Sequence, residues 1–455
     1  MRIDHRGRGV SKSPARSSLW PRTALLALPV AAVALGVACS DITSLEQKNP
    51  GSILASDVYK PDNANLLVNG AIGDFECALH RYVVAQGLLG DELVDAFANQ
   101  QNFDYERRTI SADHAVGSGG CGTSQIVGLY TPLSVARTTA DTVRVRLEGW
   151  TDAEMPKGVN RESLIAQAAA YGGYSLVLLG ESMCSAAINL GPELSKTDLW
   201  NEAKQRFDIA IAAATGANDA TTLNLARLGR ARTLLNLGQV AAAGADAALV
   251  PTGFVVNAVA NDAGSVRQQN QVFVHTQVSN FSSVDPSYVG LTVGGEPDTR
   301  VAVKVTTTKG TDGSTIIRQV SKYSSRGAPI PMARYAEAQL ILAEARVAEN
   351  NLPGAVAIIN GLRDANNLAT YDATGQSATD VKAQIVEERR RELFMEGQRL
   401  GDMNRYRLPR LPADGTPFRS GGTYGSQACP GADAQGYPFG FPLPNIERNN
   451  NPNIS

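Results

Sequence analysis

The stretch EERRRELFMEGQRLGDMNRY, Glu387–Tyr406, carries seven charged side chains in its first ten residues and then turns largely apolar. At helical spacing Val386, Leu393 and Leu400 fall seven apart and Met403 follows three later, which predicts one apolar seam on a single helix. Glu387 with Arg390, Glu388 with Arg391, Glu396 with Arg399 and Asp402 with Arg405 are oppositely charged i, i+3 pairs. Exposed, each pair stabilises a helix by only about 0.2–0.5 kcal/mol. So many pairs therefore predict partial burial, with Glu388, Arg391, Glu396, Arg399, Asp402 and Arg405 bracing the helix against its neighbours. A catalytic reading needs two carboxylates facing a cleft, and nothing in this spacing supplies them. The expected catalytic and metal-ligand sets are empty.

Upstream, apolar residues recur at helical spacing over Asn65–Ala98 and Ser124–Leu147. From Arg161 the pattern becomes paired helices with alanine and glycine at their crossings. The segments beginning at Leu164 and Leu199 form one pair, and those beginning at Thr221 and Gln239 form a second. Ile330–Asn351, followed by a restart at Pro353, forms the third. Units of roughly 35 residues punctuated this way predict degenerate tetratricopeptide-like hairpins. Residues 251–330 are rich in Val, Thr, Ser and Gly, and Asp312-Gly313 suits a tight hairpin turn, so a small β-containing insert is expected there. Residues 407–455 are rich in Gly, Pro and Asn and cannot form long helices. They are expected to lie over the surface.

The chain has 455 residues, 43% of them apolar, enough to fill a sizeable core. Its formal net charge of -2 gives no basic field to hold nucleic acid. Six bases precede the apolar run TALLALPVAAVALGVAC, which reads as a secretory signal peptide over residues 1–38. The run ends Gly36-Val37-Ala38-Cys39 and resembles the lipobox of bacterial lipoproteins, with Leu35 one place earlier than the usual leucine. Cys39 would then be the lipidated first residue and 39–64 a tether. The mature chain carries 36 bases against 43 acids. Its remaining cysteines are Cys77, Cys121, Cys184 and Cys429, and in an oxidising compartment four cysteines suggest two disulfides in one of three pairings. Cys77–Cys121 with Cys184–Cys429 is favoured, because the first pair brackets a single helix-loop segment; free thiols are the alternative.

Gly117, Gly119 and Gly122 formally satisfy the dinucleotide pattern, but no strand leads into them, so a flexible loop is expected. His80, His114 and His275 are far apart, in neither a metalloprotease helix nor a nucleophile elbow, and are expected on surfaces or loops. No cofactor is implied. Binding of a ligand at a shallow surface needs aromatic platforms with polar rims. Loop candidates are Tyr105, Phe281, Tyr288, Tyr323, Phe418, Tyr424, Tyr437 and Phe439, although spacing does not single out which of them would contact a ligand.

Three segments, SKYSSRGAPIPMARYAEAQLILAEA (Ser321–Ala345), IVEERRRELFMEGQRLGDMNRY (Ile385–Tyr406) and FPLPNIERNNNP (Phe441–Pro452), together resemble the C-terminal signatures of the SusD/RagB family of nutrient-uptake outer-membrane lipoproteins. Tyr406 stands where the family often has tryptophan, and Met403 where leucine is commoner. The resemblance implies a mostly α-helical, non-enzymatic protein with one SusD-like domain over 65–455. Its helical scaffold would span 65–250 and 331–406, with the insert at 251–330 and the loop region at 407–455. The resemblance also implies lipid anchorage at the outer membrane and partnership with a SusC-like TonB-dependent transporter, to which oligosaccharide or peptide is delivered. A tetratricopeptide scaffold for envelope assembly and a carbohydrate-active hydrolase are the alternatives.

Overall fold

A computed structural model describes residues 55–125 and 127–454. The expected signal peptide, Cys39 and most of the expected tether lie outside these residues. The chain divides into two units, residues 1–57 and 58–455, and the second holds the helical hairpins.

The fold is mostly α. Helix α1 (Ala64–Leu89) is followed by the short α2 (Gln100–Arg107) and by α3 (Tyr130–Glu148). Then come α4 (Arg161–Ser182), α5 (Lys196–Ala217), α6 (Ala220–Asn236) and α7 (Val240–Ala247). The C-terminal third adds α8 (Tyr335–Ala348), α9 (Leu352–Asp364), α10 (Ala378–Glu392) and α11 (Arg399–Tyr406). Helix α1 packs on α3, α4 on α5, α6 on α7 and α8 on α9, while α3 on α4, α5 on α6 and α7 on α8 join successive pairs.

The starts of these helices are written locally. Asn160, Ser195, Asp219, Asn351 and Ser377 each cap a helix by accepting a backbone N–H, and Ser195 and Ser377 complete capping boxes with Asp198 and Asp380. Close crossings depend on missing side chains. A Cβ on Gly229 would come within 2.4 Å of the Phe207 ring, and one on Gly244 within 2.3 Å of the Ala345 Cβ. The rings of Tyr174 and Phe207 meet edge-on at 5.2 Å in the space so created.

The insert is β-containing. Strand β1 (Leu93–Asp95) pairs antiparallel with β3 (Ser282–Val284), and β2 (Val255–Ala258) with β6 (Ile330–Arg334). Strands β4 (Val303–Lys309) and β5 (Ile316–Val320) form the expected hairpin. Its connection is a six-residue loop rather than a two-residue turn, with Asp312 Oδ1 accepting from Ser314 N and Thr315 N, each at 2.9 Å. The stretch Ile330–Arg334, expected at the start of the third hairpin, is strand β6, and its helix starts only at Tyr335. Backbone pairing with β2 takes these five residues before the helix can begin.

The disulfides pair Cys77 with Cys121 and Cys184 with Cys429, at Cα–Cα distances of 6.3 and 5.2 Å. The first ties the glycine-containing loop to α1. There the guanidinium of Arg81, 1% exposed, donates to Gly120 O and Thr123 O at 3.1 and 3.0 Å. The second ties the C-terminal loop region to the end of α4, alongside the hydrogen bond from Cys184 N to Phe441 O at 2.8 Å. Phe439 and Phe441 are fully buried, so the C-terminal loops supply core as well as cover.

Candidate functional site

The ion-rich stretch is not one helix. Helix α10 stops at Glu392, the chain turns through Met395 and Gly397, whose φ values are 55° and 77°, and α11 starts at Arg399. The expected seam is cut accordingly: Leu393, Leu400 and Met403 are buried, while Val386 is only partly so. Two of the expected pairs form, Glu387–Arg390 at 3.5 Å and Asp402–Arg405 at 2.9 Å. Glu388 does not meet Arg391, nor Glu396 Arg399. Both acids turn inward to partners that are distant in sequence. Glu388 accepts from Arg300 at 2.6 Å and pairs with Arg363 at 2.7 Å, while Arg391 binds Glu387 and Asp298. Glu396 sits in the turn and takes Lys322 at 2.5 Å and Arg334 at 2.9 Å; Arg399 goes to Asp91 at 2.9 Å. Asp402 also accepts from Arg389 at 2.8 Å, and Arg405 reaches Glu344 on α8 at 2.5 Å.

Burial alone would raise the Glu396 and Asp402 carboxyls. Their guanidinium and ammonium partners outweigh it and hold both below the ordinary carboxylate range. These acids are occupied in linking α10 and α11 to α8, β6 and the insert.

Most of the expected aromatic surfaces are core. Tyr105, Tyr288, Tyr323, Phe418, Tyr424, Tyr437 and Phe439 are all buried. Tyr105, expected on a loop, lies on α2, and the loops that carry the others are held down by their rings: the Tyr323 hydroxyl donates to Met395 O at 2.8 Å, and Tyr288 stacks on Phe394 at 4.9 Å. His80 and His275, expected on surfaces or loops, are also buried, and desolvation pushes both down to about 4. His114 lies 3.2 Å from Asp104. Among the described residues no group of three His, Cys, Asp or Glu side chains is placed to hold a metal ion.

One aromatic face remains partly open. Just beyond the β1–β3 pair, Ala96 N donates to Phe281 O at 2.8 Å, so Phe97 and Phe281 leave the sheet side by side. Their ring centroids lie 4.0 Å apart, and both rings are half-buried. The β4–β5 loop closes on this corner. Asp312 N and the Thr311 hydroxyl donate to Ala96 O at 2.9 and 3.1 Å, and a Cβ on Gly310 would strike Ala96 at 2.5 Å. A second pair, Phe103 and Phe418, stands at 5.9 Å, with the Arg107 guanidinium 5.1 Å from the first ring and that of Arg419 4.6 Å from the second.

Arg419 links the two pairs. It donates to Glu106 Oε1 at 2.6 Å and to the carbonyl of Asp95, while Asp95 Oδ2 accepts from Phe97 N and Ala98 N at 3.2 and 3.0 Å. Burial, with the Glu106 charge beside it, pushes the Asp95 carboxyl up to about 7 despite Arg419. Three ring edges, two guanidiniums and the exposed hydroxyl-bearing hairpin loop thus converge from four distant stretches of chain. Such a surface can stack a ligand's apolar face and hydrogen-bond its rim.

Of the eight aromatics that the sequence suggests, Phe281 is partly open on this face and Phe418 lies buried beneath it. Periodicity and loop composition do not single out Phe97, Phe103, Arg107 or Arg419, although NQQNFDYERR (Asn99–Arg108) carries an aromatic and an arginine four apart.

The layout matches known folds. Residues 259–455 match the SusD family. The chain has a SusD-like fold. A solved SusD superfamily protein from Bacteroides vulgatus superposes with a TM-score of 0.64 at 16% identity, covering 86% of this chain and 97% of the other. One from Bacteroides thetaiotaomicron gives 0.64 at 13%, covering 87% and 99%. A laminarin-binding SusD-like protein gives 0.59 at 13%, covering 85% and 98%. No curated protein sequence matches the chain. The buried ion network, the helical hairpins and the aromatic corner thus share one fold.

Proposed function

We propose that the chain is a lipid-anchored outer-membrane nutrient-binding protein that captures an oligosaccharide and passes it to a SusC-like TonB-dependent transporter, without chemistry of its own. The observation that carries this reading is the corner at Phe97, Phe281 and Phe103, rimmed by Arg107 and Arg419 on a SusD-like scaffold. Aromatic faces stack on the apolar faces of sugar rings, and guanidiniums donate to hydroxyls. The solved relative that binds laminarin favours a glycan over a peptide as first ligand to test. Cys39 would hold the protein at the membrane, and the acidic mature chain brings no electrostatic attraction of its own to an anionic bilayer.

Calorimetric titration of the soluble chain, beginning after Cys39, with laminarin fragments and with short peptides tests the binding. Saturable glycan binding that Phe97→Ala with Phe281→Ala weakens at least tenfold, in a variant that still unfolds cooperatively, is expected. Binding unaffected by both changes overturns the assignment. The anchor and partner are tested separately by fractionation: the wild-type chain should stay with the outer membrane and co-purify with a β-barrel in detergent, and Cys39→Ser should release it.

A further inference from the structure

A cavity of about 340 Å³ opens where the helical hairpins meet the C-terminal loops, and it shares no residue with the aromatic corner. Its walls come from the end of α4, the start of α5, the α6–α7 turn and α11, closed by Pro438. That volume lies at the small end of the range of organic ligand sites. Trp200 forms one wall. Its indole is wedged against Gly180, where a Cβ would come within 2.4 Å of Nε1, and this N–H is buried without an acceptor among the described residues.

Lys196 lines the same cavity, 9% exposed. Its Nζ donates to Gly180 O at 3.1 Å and Glu181 O at 3.4 Å, two carbonyls at the C-terminal end of α4. An ammonium has three N–H donors, so one is left over. The acids around it are engaged elsewhere. Glu181 is held by Arg232 at 2.5 Å and by Asn236 at 2.8 Å, while Arg405 is matched by Glu344 and Asp402. Lys196 makes no direct ion pair among the described residues, and Arg232 is shared between Glu181 and Glu337, so the Glu181 carboxylate still acts on Lys196 while one ammonium N–H keeps no acceptor beside an aromatic wall.

We propose that this cavity is a second binding site, for a small organic carboxylate whose ring or apolar body lies against Trp200 and whose carboxylate accepts from Lys196. Its source is either an acidic sugar or an aryl or peptide acid. The spare ammonium N–H favours a carboxylate over a neutral sugar, because a charge-assisted hydrogen bond to a carboxylate oxygen is stronger than one to a hydroxyl. The charged groups around Lys196 are the Glu181 carboxylate from α4, tied to Arg232 of α6, which also meets Glu337 of α8, and Arg405 of α11, tied to Asp402 and to Glu344 of α8. Burial pushes the Lys196 amine down to about 7 although Glu181 pulls it up, so an arriving carboxylate takes up a proton with it near neutral pH.

The test is calorimetric titration of the full chain with sodium glucuronate and sodium phenylacetate, with methyl glucoside and phenylacetamide as neutral counterparts. Saturable binding of at least one carboxylate and of neither neutral compound is expected, and whichever carboxylate binds names the source. Affinity should fall about tenfold from about pH 6 to about pH 8, following the protonated fraction of an amine near 7. Lys196→Met should abolish binding. Because that change also removes a buried helix-end contact, Thr197→Tyr at the exposed mouth serves as the second variant, lowering affinity at least tenfold with unchanged unfolding. Binding of neither carboxylate, equal binding of the neutral compounds, or an affinity indifferent to pH overturns the proposal. Laminarin titration of the same variants stays as in wild type, which separates this site from the aromatic corner.

Discussion

Glu388 has no solvent exposure and two guanidiniums on its carboxylate, from Arg300 and Arg363, with Gln384 as a third donor at 2.8 Å. Removing one partner from a buried, hydrogen-bonded charge cluster costs roughly 3–5 kcal/mol, because the remaining charges stay desolvated. Glu388→Ala should therefore lower the stability measured by urea denaturation by an amount in that range, while Glu387→Ala, at the partly exposed end of the same helix, should change it by under about 1 kcal/mol. Equal effects would show that the burial of Glu388 does not matter. The pH response divides by sign. Burial raises Asp95 and Glu92 to about 7, so the folded chain binds these protons more tightly than the unfolded one. Their contribution is complete below the ordinary carboxylate range near 4 and is lost as pH rises through 7, at up to about 1.4 kcal/mol per pH unit for each group. Asp402 and Glu396 act oppositely, since their lowered carboxyls lose their contribution only in acid below about 4. The buried His80 and His275, pushed down to about 4, act against Asp95 and Glu92 up to about pH 6.5, so the Asp95 contribution is read as a difference. The stability of wild type relative to Asp95→Asn should decline between pH 5 and pH 8, and a difference that does not change with pH would place the titration elsewhere.

The helices owe their starts to caps and their crossings to small residues. A methyl added at Gly229 meets the Phe207 ring, and overpacking of this kind costs about 1–3 kcal/mol. That outweighs the roughly 1 kcal/mol that alanine gains over glycine in a helix. Gly229→Ala should lower the melting temperature, whereas Gly216→Ala, with open space at its Cβ, should raise it or leave it unchanged. Differential scanning calorimetry of the two variants decides the matter. That small residues stand at the crossings was legible from the sequence, but which group fills each space, Phe207 at Gly229 and Ala345 at Gly244, is set by helices distant along the chain. The single helix expected over Ile385–Tyr406 was not what formed. Its periodicity survives on both sides of the break, but the break is set by Met395 and Glu396, whose partners lie on other elements. Met395 N donates to Glu92 Oε1 at 2.8 Å, and Glu396 is pulled to Lys322 and Arg334.

Across the whole molecule, the C-terminal loops complete the core. Phe439, Phe441 and Leu443 are buried, and Cys429 crosses 245 residues of sequence to reach Cys184. Losing two buried phenylalanines alone costs about 3–5 kcal/mol each by the large-to-small scale, comparable to the entire stability of a domain. A chain ending at Tyr406 should fail to give a cooperative melting transition, and one that melts normally would contradict this assignment of core. For the disulfides, chain entropy gives about 4 kcal/mol for the 44-residue interval between Cys77 and Cys121. Cys77→Ser with Cys121→Ser should lower the denaturation midpoint accordingly and still leave a folded protein. The helical class, the hairpin array, the β-containing insert and the resemblance to the SusD family were all written in periodicity, punctuation and C-terminal signature segments, because local propensity and hydrophobic pattern act over short distances. Which carboxylate meets which guanidinium, which loop aromatics are core, and the corner formed by Phe97, Phe103 and Phe281 were decided only by tertiary structure. Those contacts join stretches such as those of Glu106 and Arg419, 313 residues apart, and the energies that select them arise when packing has excluded water.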